Sequence, residues 1–270
     1  MPDHRAIFLS DLHLGTRACQ AEPLLAFLQA HNAERIYLAG DLLDLWRFRS
    51  AGLWFPQLHV NIVRTLLGKA KHGTELVYIP GNHDELLRQF LDLQAEPRLG
   101  RIRIASEAEH RLLDGRRLWI THGDQHHGYL RLLDNKPLHW LVDKGYGLLT
   151  LASAATRPLF AEGENLSRLL RGRIKRVGHY YERFAEDMAR RAAAAGYDGV
   201  VCGHNHHPEL REVDGTLYLN CGDWVDNCSA AAETPDGRLI LLRSEAVESR
   251  SLPFLPEAVG SRAADGRAAA

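Results

Sequence analysis

Five short polar segments, each placed directly after an apolar run, constrain the fold of this chain more than any other feature of its sequence. In chain order they read D-x-H from residue 11, G-D-x-x-D from 40, G-N-H-D from 81, H-G-D from 122 and G-H-x-H from 203. The apolar runs before them, such as residues 6–9, 35–39 and 76–79, have the length and composition of β-strands. Because the carboxyl ends of parallel strands converge at one edge of a sheet, we expect these segments to meet in space.

Helices are predicted between the strands. Residues 22–32 and 54–71 carry apolar side chains at helical spacing, and Gly73 suits the C-terminal stop of the second helix. Residues 177–195 have a third amphipathic pattern, which ends before Gly196. Strands that alternate with helices indicate the α/β class.

Three of the D-G dipeptides of the chain, at residues 114–115, 214–215 and 236–237, lie between β-type runs and predict β-turns. Asp114-Gly115 separates two β-type runs and predicts a hairpin that leads into the H-G-D segment. The dipeptides at 214–215 and 236–237 lie between further β-rich runs. They predict a second sheet of antiparallel character.

A long stretch without strand signals, residues 125–176, is predicted to be a helical insertion or lid, because so long a structureless loop inside a compact domain is improbable. It contains an uncharged run at 145–156. A basic group follows, made of Arg168, Arg171, Arg173, Lys175 and Arg176. This group is either a solvated helix face or a stripe that faces phosphate or a membrane surface. We expect one domain over residues 1–245 that carries this insertion, and a partly disordered tail over 246–270.

Composition limits the partners and the compartment. The chain has 270 residues, with 33 Lys and Arg against 34 Asp and Glu. This balance removes the bulk attraction that supports non-specific nucleic-acid binding, so no nucleic-acid partner is expected. No uncharged window is long enough to span a bilayer, no secretory h-region follows Met1, and the four cysteines form no C-x-x-C pair. We expect a cytoplasmic protein with reduced thiols.

The residue types in the five segments indicate a metal site. Each segment alone is a weak signal, since an Asp or His after a strand is often a turn residue. Together they supply Asp, His and Asn without a thiolate, which is a mixed oxygen and nitrogen ligand set that suits Mn, Fe, Co or Zn. The chain contains 15 histidines, and several of them fall in these segments.

The five segments resemble those of the calcineurin-like metallophosphoesterases, over a span from Asp11 to about Asp226. The resemblance implies an α/β fold, a four-layer αββα sandwich of two mixed β-sheets flanked by helices, with two divalent metal ions between the sheet ends. It implies Mn as the first choice of metal, with Fe, Co or Zn as alternatives. The implied ligands are Asp11, His13, Asp41 and His206 for the first metal, and Asp41 as a bridge with Asn82, His122 and His204 for the second.

The same resemblance implies catalytic roles for residues beside the ligands. His83 would act on the phosphoryl oxygens or the leaving group. The alternative is that His83 only packs against the metal site. Asp44 occupies the place of the acidic residue that orients this histidine, and Asp84 is the competing orienter. Asp124 is expected to form hydrogen bonds beside the ligands rather than to bind metal.

Within this superfamily the chain looks like the branch of UDP-2,3-diacylglucosamine diphosphatases. The residues that carry this likeness are G-D-L-L-D-L-W at 40–46, H-G-D-Q at 122–125, G-H-N-H-H-P at 203–208 and G-D-W-V at 222–225. The branch implies hydrolysis of the pyrophosphate in a nucleotide-linked lipid of lipid A synthesis, with the insertion as a lid over acyl chains. The uncharged run at 145–156 beside the basic group separately favours peripheral membrane contact, at the inner face, through residues 145–176.

One departure leaves the substrate open. The diphosphatases resemble G-N-R-D at the third segment, whereas this chain has His83, as the wider superfamily does. A hydrolase of another small phosphodiester or phosphomonoester therefore stays an alternative. A nuclease would share the ligands but needs a basic groove. A non-catalytic scaffold of the same fold has no need of an intact ligand set. The sequence makes no prediction of the oligomeric state.

Overall fold

A computed structural model describes residues 2–45, 54–93, 98–126 and 164–244 of the chain. Within them, one sheet has seven strands in the order β12-β11-β1-β2-β3-β5-β4. These strands are β1 (His4–Leu9), β2 (Ala33–Ala39), β3 (Glu75–Ile79), β4 (Arg98–Leu99), β5 (Ile102–Ile104), β11 (Ser229–Glu233) and β12 (Leu239–Arg243). The strands β1, β2, β3 and β5 run parallel, and the two edges are antiparallel. The predicted strands at 6–9, 35–39 and 76–79 are thereby confirmed.

The second sheet has five strands in the order β6-β7-β8-β10-β9. They are β6 (Ala108–Arg111), β7 (Arg117–Ile120), β8 (Gly199–Cys202), β9 (Glu209–Val213) and β10 (Thr216–Asn220). The central strands β7, β8 and β10 are parallel, while β6 and β9 pair antiparallel. Both sheets are therefore mixed.

The three D-G hairpins are present, but they do not share one sheet. The turns at 114–115 and 214–215 join strands of the second sheet. The turn at 236–237 joins β11 to β12, and β11 pairs with β1 in the first sheet through Ala6 and Glu233. The prediction of one antiparallel second sheet was wrong in this respect, because a turn signal identifies a hairpin and not the strand beside which it lies.

Helices cover the outer face of each sheet. The helices are α1 (Ala21–Ala30), α2 (Gln57–Lys71), α3 (Leu86–Leu93) and α4 (Glu164–Ala194). Leu24 of α1 and Ile62 of α2 pack on the first sheet, and Phe184 of α4 packs on the second. The two sheets bury a separate apolar layer between them, to which Phe8 and Leu219 contribute. This arrangement is the predicted four-layer αββα sandwich.

Helix α4 begins earlier than its sequence pattern suggested. It runs for 31 residues from Glu164, so it starts inside the predicted insertion and continues through residue 177 without a break. The uncharged run at 145–156 and the tail at 246–270 lie outside the described residues, and the domain division stays a prediction. Among the helices that the structure describes, none combines the length and the apolar character needed to cross a membrane.

Candidate metal centre

The polar segments meet where strands of the two sheets end. Asp11 follows β1, Asp41 follows β2, His122 follows β7 and His204 follows β8. Backbone hydrogen bonds tie these loops together: Asp11 N donates to Gly40 O at 3.0 Å, and Gly203 N donates to His122 O at 3.2 Å. The convergence that the strand pattern predicts is thereby found.

Five of the seven expected ligands have left-handed backbone conformations. Their φ angles are 53° for Asp11, 49° for His13, 53° for Asp41, 69° for His204 and 59° for His206. Residues other than glycine avoid this region, at a cost of about 1–2 kcal/mol each. Such strain persists only where the surroundings enforce it, and it gathers at functional sites. The strained positions therefore mark these loops as a candidate functional site.

Potential ligand atoms form three overlapping groups, in each of which all atoms lie within 4.8 Å of one another. The groups are Asp11, His13 and His206; His13, Asp41 and His83; and Asp11, Asp41 and His122. Asp41 is 2% exposed and belongs to two of them. His122 Nε2 lies 3.3 Å from Asp41 Oδ2 and 3.2 Å from Asn82 Oδ1, which adds the amide to the third group.

The donor atoms fit a divalent cation. His122 Nδ1 lies 2.9 Å from the carbonyl oxygen of Ala39, so it carries a proton and leaves Nε2 to face Asp41 and Asn82. A histidine held in this way is the usual form of a metal ligand. Burial disfavours the charged imidazole, but the Asp41 carboxylate outweighs it and raises the pKa of His122 to about 10. A cation at this place would replace that proton.

His206 belongs to the first group of potential ligands, whereas His204 belongs to none of the three. His206 Nε2 lies 3.1 Å from Asp11 Oδ1. Burial opposes its charge, yet Asp11 raises the pKa of His206 to about 9. The His204 ring packs edge-on against His122, with centroids 5.2 Å apart. Burial, with the nearby His122, lowers the pKa of His204 to about 4, so this imidazole is neutral, as a ligand must be.

His83 faces this centre from the loop after β3. Its ring packs edge-on against His13 with centroids 4.7 Å apart, and its backbone N–H donates to Asp41 Oδ1 at 2.8 Å. His83 Nδ1 lies 3.4 Å from Asp44 Oδ2. Burial opposes the charged form, but Asp44 and Asp41 together raise the pKa of His83 to about 9. Asp44 thus favours the protonated imidazole, whose side chain is 30% exposed.

Asp84 has another role than the one considered from the sequence. Its Oδ2 accepts from Leu42 N at 2.9 Å and from the Tyr78 hydroxyl, and its Oδ1 accepts from Gly81 N. Burial, with the neighbouring Asp41 carboxylate, raises the pKa of Asp84 to about 6. Its carboxylate joins the Asp41 and Asn82 loops, and Asp44 is the acidic residue beside His83.

Two further residues support the centre, and sequence reasoning did not single them out. The fully buried Asp223 has Oδ2 at 3.7 Å from His206 Nδ1, and its Oδ1 accepts from Val225 N at 2.7 Å. His59 accepts from Gly15 N at 2.9 Å, two residues after His13. The G-D-W-V segment contained a signal for Asp223, whereas His59 lies in a helix with no motif.

Gly203 lies so close to Asp11 and Ser10 that a side chain at this position would overlap them. A methyl group there would overlap Asp11 Oδ2 and the Ser10 side chain. We expect Gly203→Ala to displace the Asp11 carboxylate and to lower the metal content of the purified protein, measured by elemental analysis. Gly68→Ala is the matched control, since nothing lies within 4 Å of its added methyl group and alanine favours helix α2 by about 1 kcal/mol. Unchanged metal content in both variants would contradict the expectation.

Comparison with known proteins identifies the family. The model of the calcineurin-like phosphoesterase family matches residues 4–208. The chain belongs to this family. It is therefore a phosphoester hydrolase, of a family whose members generally bind divalent metals.

Among curated proteins the chain is similar to several named UDP-2,3-diacylglucosamine hydrolase. The protein of Aromatoleum aromaticum is 27% identical over 242 residues, which cover 82% of this chain and 87% of the relative. That of Azotobacter vinelandii is 28% identical over 233 residues, which cover 81% of this chain and 90% of the relative. The match thus extends over most of both proteins.

Proposed function

We propose that this calcineurin-like phosphoesterase cleaves a phosphodiester or pyrophosphate bond with two divalent metal ions, of which Mn is the first choice. The first ion would be held by Asp11, His13, Asp41 and His206, and the second by Asp41, Asn82, His122 and His204. The observation that carries the proposal is the place of Asp41, which shares one ligand group with His13 and another with His122, two proposed ligands of different ions; Asp11 and His13 also belong to two groups each. One carboxylate can bridge two cations about 3.5–4 Å apart.

The residues around the ions have separate tasks in this reaction. When bound, two divalent cations supply a water nucleophile at neutral pH and stabilise charge on the phosphoryl oxygens. Asp44 orients His83 through Nδ1, so Nε2 is the atom that holds a proton for the phosphoryl oxygens or the leaving group. Asp84 fixes the loop that carries His83, through Gly81 N and Leu42 N.

A nucleotide-linked lipid of the UDP-2,3-diacylglucosamine type is the proposed substrate. The names of the curated relatives and the length of the match support it. His83 favours a second candidate, a small phosphodiester or phosphomonoester, because the diphosphatases resemble G-N-R-D at this segment. A nuclease has less support, since the charge balance of the chain offers no bulk attraction for nucleic acid. We place the reaction in the cytoplasm, with peripheral membrane contact.

A hydrolysis panel with Mn tests these assignments. The panel contains UDP-2,3-diacylglucosamine, other nucleotide diphosphates, bis-p-nitrophenyl phosphate, p-nitrophenyl phosphate and single-stranded DNA. Turnover that is fastest on the nucleotide-linked lipid supports the first candidate. Turnover that is fastest on a small ester supports the second. If the metal-loaded protein turns over none of these compounds, the result would favour a non-catalytic scaffold.

The insertion gives a separate prediction. Residues 125–176 are proposed to cover the metal cleft and to bind the apolar part of the substrate. Replacing residues 145–156 with a short Gly/Ser linker should leave metal content and bis-p-nitrophenyl phosphate hydrolysis intact but should abolish turnover of a lipid-linked substrate and liposome binding. Full activity on the lipid-linked substrate would contradict the lid. The control is a deletion of residues 251–270 in the tail, which should change neither activity.

A further inference from the structure

One guanidinium group joins two of the loops that end at the metal centre. Arg88, in helix α3, donates to the carbonyl oxygen of Pro80 from Nε at 3.0 Å and from Nη2 at 2.7 Å. It also binds both carboxylate oxygens of Asp124, from Nη1 at 2.6 Å and from Nη2 at 2.7 Å. The side chains are only 14% and 12% exposed. Hydrogen bonds between a planar guanidinium and a carboxylate in this two-point form are among the strong and geometrically specific ones.

The two loops carry ligands proposed for the second metal. Pro80 lies two residues before Asn82, in the loop after β3 of the first sheet, and Asp124 lies two residues after His122, in the loop after β7 of the second sheet. His122 Nε2 and Asn82 Oδ1 approach to 3.2 Å across the same gap. Arg88 therefore closes a ring of contacts that contains both ligands.

We propose that Arg88 and Asp124 form a positioning pair that sets the separation of Asn82 and His122, and thereby the affinity of the centre for its second divalent cation. This inference rests on the proposed two-metal function. Four of the five N–H donors of Arg88 are engaged with Pro80 and Asp124, so the guanidinium links the two loops. Lysine cannot replace it, because a single ammonium lacks the fork that reaches the carboxylate and the carbonyl together.

Metal binding by Arg88→Met tests the proposal. We expect the purified variant to keep one Mn²⁺ ion per chain with wild-type affinity and to bind the second about 10- to 100-fold more weakly, as is usual when partners of metal ligands are removed. Titration calorimetry with Mn²⁺ measures the two affinities. Electron paramagnetic resonance provides a second readout, since the signal of a coupled Mn pair should give way to that of an isolated ion.

A remote ion pair provides the matched control. Arg35 binds Glu75 through Nε and Nη2, both at 2.8 Å, near the opposite end of β2 from Asp41. Arg35→Met should leave both Mn²⁺ affinities unchanged. Arg88→Lys should weaken the second ion to nearly the same degree as Arg88→Met. Wild-type affinity for both ions in Arg88→Met would overturn the positioning role.

A second variant keeps the proposal testable if Arg88→Met fails to fold. Asp124→Asn preserves the shape of the side chain and the Arg88 contacts with Pro80, but it removes the charge and one acceptor of the two-point pair. It too should weaken only the second ion, and two wild-type affinities there would equally overturn the pair. Failure of the proposed two-metal function is distinguishable from failure of the positioning pair, because the wild-type protein itself would then bind fewer than two ions.

Discussion

An Asp41→Asn variant is expected to bind fewer than two metal ions per chain and to lose phosphohydrolase activity by at least about 10³-fold. Asp41 is buried, belongs to two of the three ligand groups and accepts from His83 N at 2.8 Å. Asparagine keeps the shape and can accept that hydrogen bond, but it removes the negative charge that would be shared by two cations. Elemental analysis and turnover of bis-p-nitrophenyl phosphate in the presence of Mn measure the two losses together.

The matched control is Asp44→Asn, another buried carboxylate in the same loop. Asp44 lies 3.4 Å from His83 Nδ1 and belongs to none of the ligand groups. This variant should therefore retain both metal ions while its turnover falls. If Asp41→Asn binds two ions per chain, the bridging role is wrong.

The strand pattern accounts for part of the convergence of the polar segments. Asp11 and Asp41 follow parallel strands of the first sheet, and the carboxyl ends of parallel strands lie at one edge of a sheet. His122 follows a strand of the second sheet, so its approach to Asp41 also depends on how the two sheets pack, which the strand pattern does not encode.

Sequence spacing could not decide between Asp44 and Asp84 as the partner of His83. Asp84 is the next residue in the chain, yet its carboxylate is held by Leu42 N and Gly81 N, which lie in two different loops. Asp44, in the loop after β2, lies 3.4 Å from the His83 imidazole. The direction of a side chain within a tight turn depends on these tertiary hydrogen bonds, and no local pattern encodes them.

The same limit applies to residues without a motif. Arg88 lies in an ordinary helical pattern, where an arginine is typical of a solvated face. Its ion pair with Asp124 spans 36 positions of the chain and needs both sheets to be in place. The placement of β11 beside β1 is likewise a long-range pairing, so the hairpin at 236–237 could be predicted but its sheet could not.

His83→Ala is expected to lower kcat by about 10²-fold or more while both metal ions stay bound. Asp44 favours the protonated imidazole, which packs against His13 without occupying a proposed ligand position. Its removal takes away a proton and a positive charge near the reacting phosphoryl group, whereas the ligand set remains. Steady-state kinetics on an ester with a poor leaving group and on bis-p-nitrophenyl phosphate, with metal analysis of the same preparation, separates the two effects. Equal kcat for the variant and the wild type on both esters would show that His83 only packs against the metal site.

His83→Arg distinguishes loss of a charge from loss of a proton donor. Arginine keeps the positive charge and can bind phosphoryl oxygens through two N–H groups, but it stays protonated and cannot act as a general acid. If His83 supplies charge alone, His83→Arg should recover most of the turnover that His83→Ala loses. If His83 supplies the proton, the loss should persist on esters with a poor leaving group and should shrink on p-nitrophenyl esters, whose leaving group needs no proton. A rise in turnover of UDP-2,3-diacylglucosamine in this variant would show that residue 83 determines which of the two proposed substrates the enzyme prefers.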